Sequence, residues 1–295
     1  MSVVHQHNGF ALVAEGGGQK GIFTAGVLDI FLKHQFWPFG LKVGVSAGAQ
    51  NLAAYCARAS RYAHSAIAEL TTTQQFFQPA KFFMGGNLID LDWYFHQVEH
   101  DDDFKFPTDP ADLTPESNFY SVATDAESLK AHYLHTYGSN LFPHLKASSA
   151  IPFLYKPGVV LDGHRLIDGG VADPIPVRWA YEQGARDIVV IRTVPPDFDG
   201  QSPMLDRLKP ILRRVKQSQR MLEMYLLYQE RYAQALEFIR HPPEGVRVWE
   251  IAPTEDLKSM VLGSTSQMLS HDYLMGKREG ARFLRQWRRE QRKQA

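Results

Sequence analysis

The sequence predicts an α/β fold, a three-layer α/β/α arrangement around a mainly parallel central sheet, and three observations carry that prediction. Short apolar runs alternate along the chain with segments of helical periodicity. The first two such runs end in small-residue turns that open helices, so two βα units fill the first sixty residues. The composition is that of an ordinary globular chain: of 295 residues 44% are hydrophobic and 22% charged, with Gly 22 and Pro 17, which excludes collagen-like, coiled-coil and disordered chains. Alternation favours a parallel sheet because each crossover helix must bury its apolar stripe on a sheet face.

The elements follow in order. Phe10 to Glu15 (FALVAE) is a strand that stops at three glycines, and Gly21 to Phe36 is a helix with Ile22, Ala25, Leu28 and Leu32 at helical spacing. Leu41 to Val45 is a second strand, broken at Ser46, and the alanine-rich Ala47 to Arg58 is a second helix. Later strands are expected at Phe119 to Thr124, His132 to Tyr137, Val159 to Leu161, Leu166 to Ile167, Asp187 to Thr193 and Val246 to Ile251. Gln75 to Phe95 is dense in Phe, Trp, Tyr and Leu but interrupted by Pro79 and Gly85-Gly86, and reads as an apolar loop serving as an acyl channel, a cover or a satellite core. Asp101 to Asp112, with five aspartates, reads as a solvated loop. Pro210 opens a helix to about Ile239, with Ile211, Val215, Leu222, Leu226, Ala233 and Leu236 along its buried face. There is no internal repeat, and the reading is one domain over 1–295, a motif-bearing core at about 10–187 followed by a helical elaboration at about 204–295.

Charge and cysteine usage narrow the function. Lys+Arg 32 balances Asp+Glu 32, so the chain lacks the basic field of a nucleic-acid binder. The single cysteine, Cys56, forms no internal disulfide or thiolate zinc site and reads as a small buried hydrophobe. The N-terminus lacks a signal-peptide pattern and no run of 18 apolar residues occurs, so the expected location is cytoplasmic. Lys277 to Ala295 carries eight basic and two acidic residues beside Phe283, Leu284 and Trp287, the pattern of a terminal helix packed on the domain or resting peripherally on an anionic membrane.

Three motifs carry chemistry. Gly16-Gly17-Gly18-Gln19-Lys20-Gly21 satisfies G-x-G-x-x-G between a strand and a helix. A dinucleotide site would also need a carboxylate at the end of the second strand, where the chain instead has Gly44-Val45-Ser46-Ala47-Gly48; a GxxxxGK[ST] phosphate loop fails because Gly21 follows Lys20. The alternative use of such a turn is a concave set of backbone N–H groups able to hold an oxyanion. Gly44 to Gly48 is G-x-S-x-G between strand and helix, the turn that lifts a serine hydroxyl clear of a sheet, with the Ala47 N–H and the helix dipole beside Ser46. A serine so early in the chain suits an ordinary Ser, Asp, His order badly; His271 is the best-placed late histidine. The third motif, Asp168-Gly169-Gly170, follows the apolar Leu166-Ile167.

Together and in this order, GGGQKG, GVSAG and DGG resemble the patatin-like phospholipase family, and Ala147 to Pro152 resembles the stretch that precedes that family's aspartate. The resemblance runs from about Phe10 to Asp187 and departs where Val171 to Pro176 replaces the continuation towards Asn-Pro seen in many relatives, a variation similar to a bacterial branch. It implies a lipid acyl hydrolase in which Ser46 is the nucleophile, Asp168 its dyad partner, the Gly17 and Gly18 amides the oxyanion hole, and Lys20 the basic position of the glycine loop. It implies a lipid or other acyl-ester substrate and needs neither metal nor cofactor. Because an aspartate at its ordinary pKa is a weak base, Asp168 is expected to be buried. A non-catalytic lipid-binding member of the fold and a dinucleotide enzyme are the competing readings.

Overall fold

A computed structural model describes residues 7–107, 109–198 and 219–294. Its centre is an eight-stranded sheet: β1 (Phe10–Ala14), β2 (Leu41–Val45), β3 (Phe119–Asp125), β4 (Ala131–His135), β5 (Val159–Leu161), β6 (His164–Asp168), β7 (Asp187–Ile191) and β8 (Arg247–Ile251), in the order β5-β6-β3-β2-β1-β7-β8 with β4 paired to β3. The five strands β3, β2, β1, β7 and β8 run parallel. β1 is buried throughout because both faces are covered: Phe10, Leu12 and Ala14 point into one core and Ala11 and Val13 into the other.

Strand β3 departs from simple alternation, and the departure builds the site. Residues 120–124 pair with β4 along one edge, while the opposite edge is shared: Phe119–Val122 pair in parallel with β2, and Ala123–Asp125 pair antiparallel with β6. Val45 is opposite Val122 and Asp168 is opposite Ala123, so the C-terminal ends of β2 and β6 meet on one edge of one strand. That junction brings together two motifs 122 positions apart in the sequence.

Helices α1 (Ile22–Lys33), α2 (Ala47–Cys56), α5 (Leu91–His100) and α6 (Leu141–Ser148) contribute to the first core, and α7 (Val177–Glu182) and α8 (Gln219–Arg240) to the second. Two short helices, α3 (Tyr62–Ser65) and α4 (Pro79–Phe83), lie in the connection between α2 and α5. The apolar stretch predicted as a loop is partly regular: α4 sits in an excursion closed by a Phe77–Ile89 bridge, and α5 begins at Leu91, where Asp90 caps it by accepting from the Trp93 N–H. Its base is buried at Phe76 and Ile89, whereas Phe83 and Met84 at its tip are 88% and 81% exposed.

The long helix expected from Pro210 is described only from Gln219, and its first turns lie outside the described residues. Of the expected face Leu222 and Leu236 are buried, but the inward side is rotated to take in Tyr232, Ala235 and Ile239, while Leu226 and Ala233 are exposed. The rotation turns the Tyr232 hydroxyl towards buried polar partners, which a simple apolar stripe does not anticipate. The last helix, α9 (Ser266–Gln294), crosses α1 at close range because the contact is made by glycines. A Cβ on Gly276 would collide with the Phe23 carbonyl, one on Gly26 with the Tyr273 carbonyl, and one on Gly280 would lie 3.0 Å from the Val27 carbonyl. Phe283 and Leu284 are buried there and Trp287 stacks on Phe10 at 4.9 Å, so the apolar side of the basic tail is turned inward. Among the described residues no helix is long and apolar enough to cross a membrane.

Candidate active site

The turn after β2 holds Ser46 in a conformation that a non-glycine residue rarely adopts, φ 52° and ψ −125°. The residues two positions to either side are glycines because nothing larger fits. A Cβ on Gly44 would lie 2.7 Å from the Ala49 amide nitrogen, and one on Gly48 would lie 2.5 Å from both the Ala14 and Glu15 carbonyls. These contacts let α2 start directly against the end of β1, with the Ala47 amide and the helix N-terminus beside Ser46. The Ser46 N–H donates to Ser148 Oγ at 2.9 Å, while the neighbouring Ser149 Oγ accepts from Gln50 Nε2 at 2.9 Å. The expected Ala147 to Pro152 stretch thus braces the turn from the end of α6, and the Ala150 carbonyl accepts from the Asp168 N–H at 2.9 Å.

Asp168 ends β6 and is 8% exposed. Its Oδ1 accepts from the Gly170 N–H at 2.8 Å, and its carbonyl accepts from Thr124 Oγ1 at 2.9 Å. Gly169 must lack a side chain because a Cβ would collide with the Val122 carbonyl at the point where β2, β3 and β6 meet. Burial pushes the Asp168 carboxyl up to about 6, against the opposing pull of hydrogen bonding from Ser46 and the Gly170 N–H. Among the described residues no cation acts on it, and the carboxyl faces the Ser46 hydroxyl.

The glycine loop follows β1. Gly17 (φ 144°) and Gly18 (φ 58°) occupy backbone conformations that glycine alone enters freely. Gly16 lies against the Ser46 turn, where a Cβ would be 3.2 Å from Ser46 Cβ, and a Cβ on Gly21 would be 2.9 Å from Ala47 Cβ, so the loop is pressed against the serine. Lys20 is half-buried on the turn Gly18–Gly21, its N–H donates to the Gly17 carbonyl, and its charge is felt at Glu15. The cleft over Ser46 is lined by Gly18, Ala47, Ile67, Phe76, Ile89 and Leu262 among others. It adjoins an apolar slot that shares Ala47, Gln50, Ile67 and Tyr94 and continues to Phe95, Val98 and Leu145.

His271 is bonded to Asp272 (2.9 Å), and among the described residues the carboxyl that meets Ser46 is Asp168. Cys56 is enclosed and burial pushes its thiol up, away from nucleophilic reactivity. Among the described residues one His/Asp group could converge on a metal: Asp125, His132 and His164, whose donor atoms lie within 4.8 Å of one another. Asp125 is already satisfied, by His164 Nδ1 at 3.0 Å and by Ser128, and neither Ser46 nor Asp168 belongs to the group.

Several structural partners of the site carry no motif. Glu15, just before the glycines, accepts from the Thr193 N–H (2.7 Å) and from Tyr232 (2.7 Å), and Thr193 Oγ1 donates to the Gly16 carbonyl (2.7 Å). Gln19 and Ser148 are likewise buried; they fall within GGGQKG and Ala147 to Pro152, but nothing in those stretches names their partners. The expected strand Asp187 to Thr193 takes in Arg192 and Thr193, whereas the expected helix stripe passes over Tyr232 in favour of Ala233.

The sheet and the helices on its two faces are those of a three-layer α/β/α protein with a mainly parallel central sheet. The chain belongs to the patatin-like phospholipase family, a family of lipid hydrolases: the family model described as patatin-like phospholipase matches residues 12–181. A second model, described as a domain of unknown function (DUF6363), matches residues 218–291. The uncharacterized protein YjjU of Escherichia coli (strain K12) is 40% identical over 274 residues, 93% of this chain and 76% of that protein. A crystal structure of VipD from Legionella pneumophila aligns with 95% of this chain and 67% of its own at 14% identity and a TM-score of 0.46, a likeness too distant to carry detail.

Proposed function

We propose that this chain is a serine acyl-ester hydrolase of lipids, of phospholipase A or lysophospholipase type, working through a Ser46–Asp168 dyad and an oxyanion hole made by the Gly17, Gly18 and Ala47 amides. The observation that carries the reading is the buried Asp168 carboxyl, pushed up to about 6 without a cation nearby and interacting with the hydroxyl of a serine held at φ 52°. A base of that strength beside a hydroxyl is what acyl transfer requires near neutral pH.

In the first half-reaction Ser46 Oγ attacks the acyl carbonyl carbon while Asp168 takes the hydroxyl proton. The tetrahedral oxyanion is held by the backbone amides, Asp168 returns the proton to the departing alcohol oxygen, and the ester C–O bond breaks. Water then attacks the acyl-serine with Asp168 again as base, releasing the acid and restoring Ser46. Neither a metal nor a cofactor enters these steps. The apolar slot beside the cleft suits an acyl chain. The exposed pair Phe83 and Met84 supports peripheral contact with a lipid surface better than the terminal helix, whose apolar side is packed inward. The reading takes the chain as one hydrolase unit, the motif-bearing core joined to a helical elaboration.

The test is hydrolysis of a short-chain p-nitrophenyl ester and of a labelled phospholipid, with chelator present, alongside fluorophosphonate labelling. Wild type should hydrolyse and label; Ser46→Ala should do neither, and Asp168→Asn should lose ~10³-fold or more in turnover. Full turnover in Ser46→Ala would discard the mechanism.

A further inference from the structure

The glycine loop is gripped by residues outside the patatin match. On one side the Gln19 N–H donates to the Val261 carbonyl at 2.9 Å, and Gln19 Oε1 accepts from the Ser264 N–H at 2.8 Å. Gln19 Nε2 is spent on Thr71, donating to its carbonyl and hydroxyl at 3.1 Å. The segment touches Gly18 so closely that a Cβ there would collide with the Val261 carbonyl. It is itself anchored: the fully buried Asp272 on α9 accepts from the Lys258 N–H (3.2 Å), the Ser259 N–H (2.7 Å) and the Ser259 hydroxyl (2.6 Å), while Ser264 Oγ accepts from the Met260 N–H (2.9 Å). On the other side, α8 reaches the residue before the glycines through Tyr232 and Glu15. Leu262 forms part of the cleft wall over Ser46.

Such a grip has a physical purpose. Gly17 and Gly18 are the residues with the most backbone freedom in the site, and an amide stabilises an oxyanion only when it is held in place before charge develops. A displacement of about 1 Å in a catalytic group costs on the order of 10²-fold in rate. Resting on the hydrolase reading, we propose that the C-terminal unit, the stretch matched by a family of unknown function, completes the active site by fixing the oxyanion loop. Gln19 is a positioning residue that couples the loop to the 258–264 segment, and Asp272 anchors that segment from behind.

The experiment compares wild type with Gln19→Leu, which keeps the volume but loses the polar contacts, and with Asp272→Asn, which loosens the segment from a distance. Three quantities are read: kcat and KM on a soluble p-nitrophenyl ester, affinity for an alkyl trifluoromethyl ketone whose adduct with Ser46 reproduces the oxyanion, and amide hydrogen exchange in a peptide spanning Gly16–Gly21. The expected result is a kcat lowered about 10- to 100-fold with KM changed less than about threefold, ketone affinity weakened in parallel, and faster loop exchange in both variants. A merely structural role would lower the melting temperature and leave kcat of the folded protein and the ketone affinity unchanged, and that result overturns the proposal. So does unchanged loop exchange. A wild type that neither hydrolyses nor labels overturns the hydrolase reading, and the exchange measurement still decides whether the segment holds the loop. Should Gln19→Leu fail to fold, Gln19→Glu, which keeps the acceptor towards Ser264, serves in its place and should retain more of kcat than Asp272→Asn.

Discussion

Two carboxyl groups are buried near the Ser46 turn, one before the glycine loop and one at the end of β6, and burial raises the pKa of both while different partners oppose it. Glu15 is enclosed with Arg192 nearby: Arg192 Nη2 donates to the Tyr232 hydroxyl (2.9 Å), which donates to Glu15 Oε1 (2.7 Å), and the Thr193 N–H occupies Oε2. Burial dominates and leaves its pKa raised, although the Arg192 charge, Tyr232, Thr193 and Lys20 all oppose the rise. Asp168 is equally enclosed, has no cation among its perturbing neighbours, and is pushed up to about 6. Equal burial therefore acts on both, and what differs is the company: Glu15 is held by a guanidinium, a tyrosine and a backbone N–H, whereas Asp168 meets the Ser46 hydroxyl and the Gly170 N–H, a contrast that supports the proposed roles of brace and base.

The comparison is broken most forcefully by taking away the compensation. Arg192 is fully buried, bonded through Nη1 to Glu250 at 2.6 Å and through Nη2 to the Phe198 carbonyl and Tyr232. Arg192→Leu leaves Glu15 enclosed with only the weaker pull of Lys20 and strips Tyr232 of a donor, so unfolding in urea should show a loss of about 3–5 kcal/mol. Arg192→Lys keeps the charge without the planar fork and should recover only part of it. A loss under 1 kcal/mol in Arg192→Leu would show that Glu15 needs no partner.

The opposite change should stabilise. Native Asp168 holds its proton up to about pH 6, whereas the unfolded chain releases it near the ordinary 3.8. Between those values the folded state binds more protons, so this group's contribution is fully present below pH 3.8 and is lost as pH rises through 6. The two-unit difference corresponds to about 3 kcal/mol above that window. Asp168→Asn removes the charge at nearly constant shape. Denaturant melts should show its advantage over wild type growing from pH 4 to 6 and level thereafter, in a protein without hydrolytic turnover. In wild type, kcat/KM should rise with pH through about 6, as the base ionises. A stability gap that does not change with pH would remove Asp168 as the titrating base.

How these residues appear in the sequence follows from what each must do. Gly17, Gly18, Gly44, Gly48 and Gly169 stand where the φ angle or adjacent backbone atoms tolerate no other residue, so the motifs around Ser46 and Asp168 are legible without a structure. The central strands are legible because burial on both faces makes them continuous apolar runs. The meeting of β2 and β6 on one edge of β3 is not, since pairing register between segments 120 positions apart leaves no local mark. Nor are Gln19, Ser148, Arg192 and Tyr232, which act through ordinary side chains whose partners lie on remote elements. The helix stripe misplaced Ala233 for the same reason: a tyrosine with buried polar partners outweighs an alanine in deciding which face turns inward.

The finest test of the contrast removes a single oxygen. Tyr232 is fully buried, and its hydroxyl is the one atom that links the Arg192 guanidinium to the Glu15 carboxyl. Tyr232→Phe preserves the ring packing against Phe198 (5.6 Å) and Tyr228 (5.4 Å) while leaving an acceptor and a donor unpaired in the interior. The cost should be about 1–3 kcal/mol, smaller than for Arg192→Leu because the cation remains. If Glu15 is only a brace, the folded variant should keep its kcat/KM profile with the same rise near pH 6, because the base that sets that rise is Asp168. A profile displaced by more than half a pH unit would mean that the two carboxyls are electrostatically coupled across the nucleophile turn.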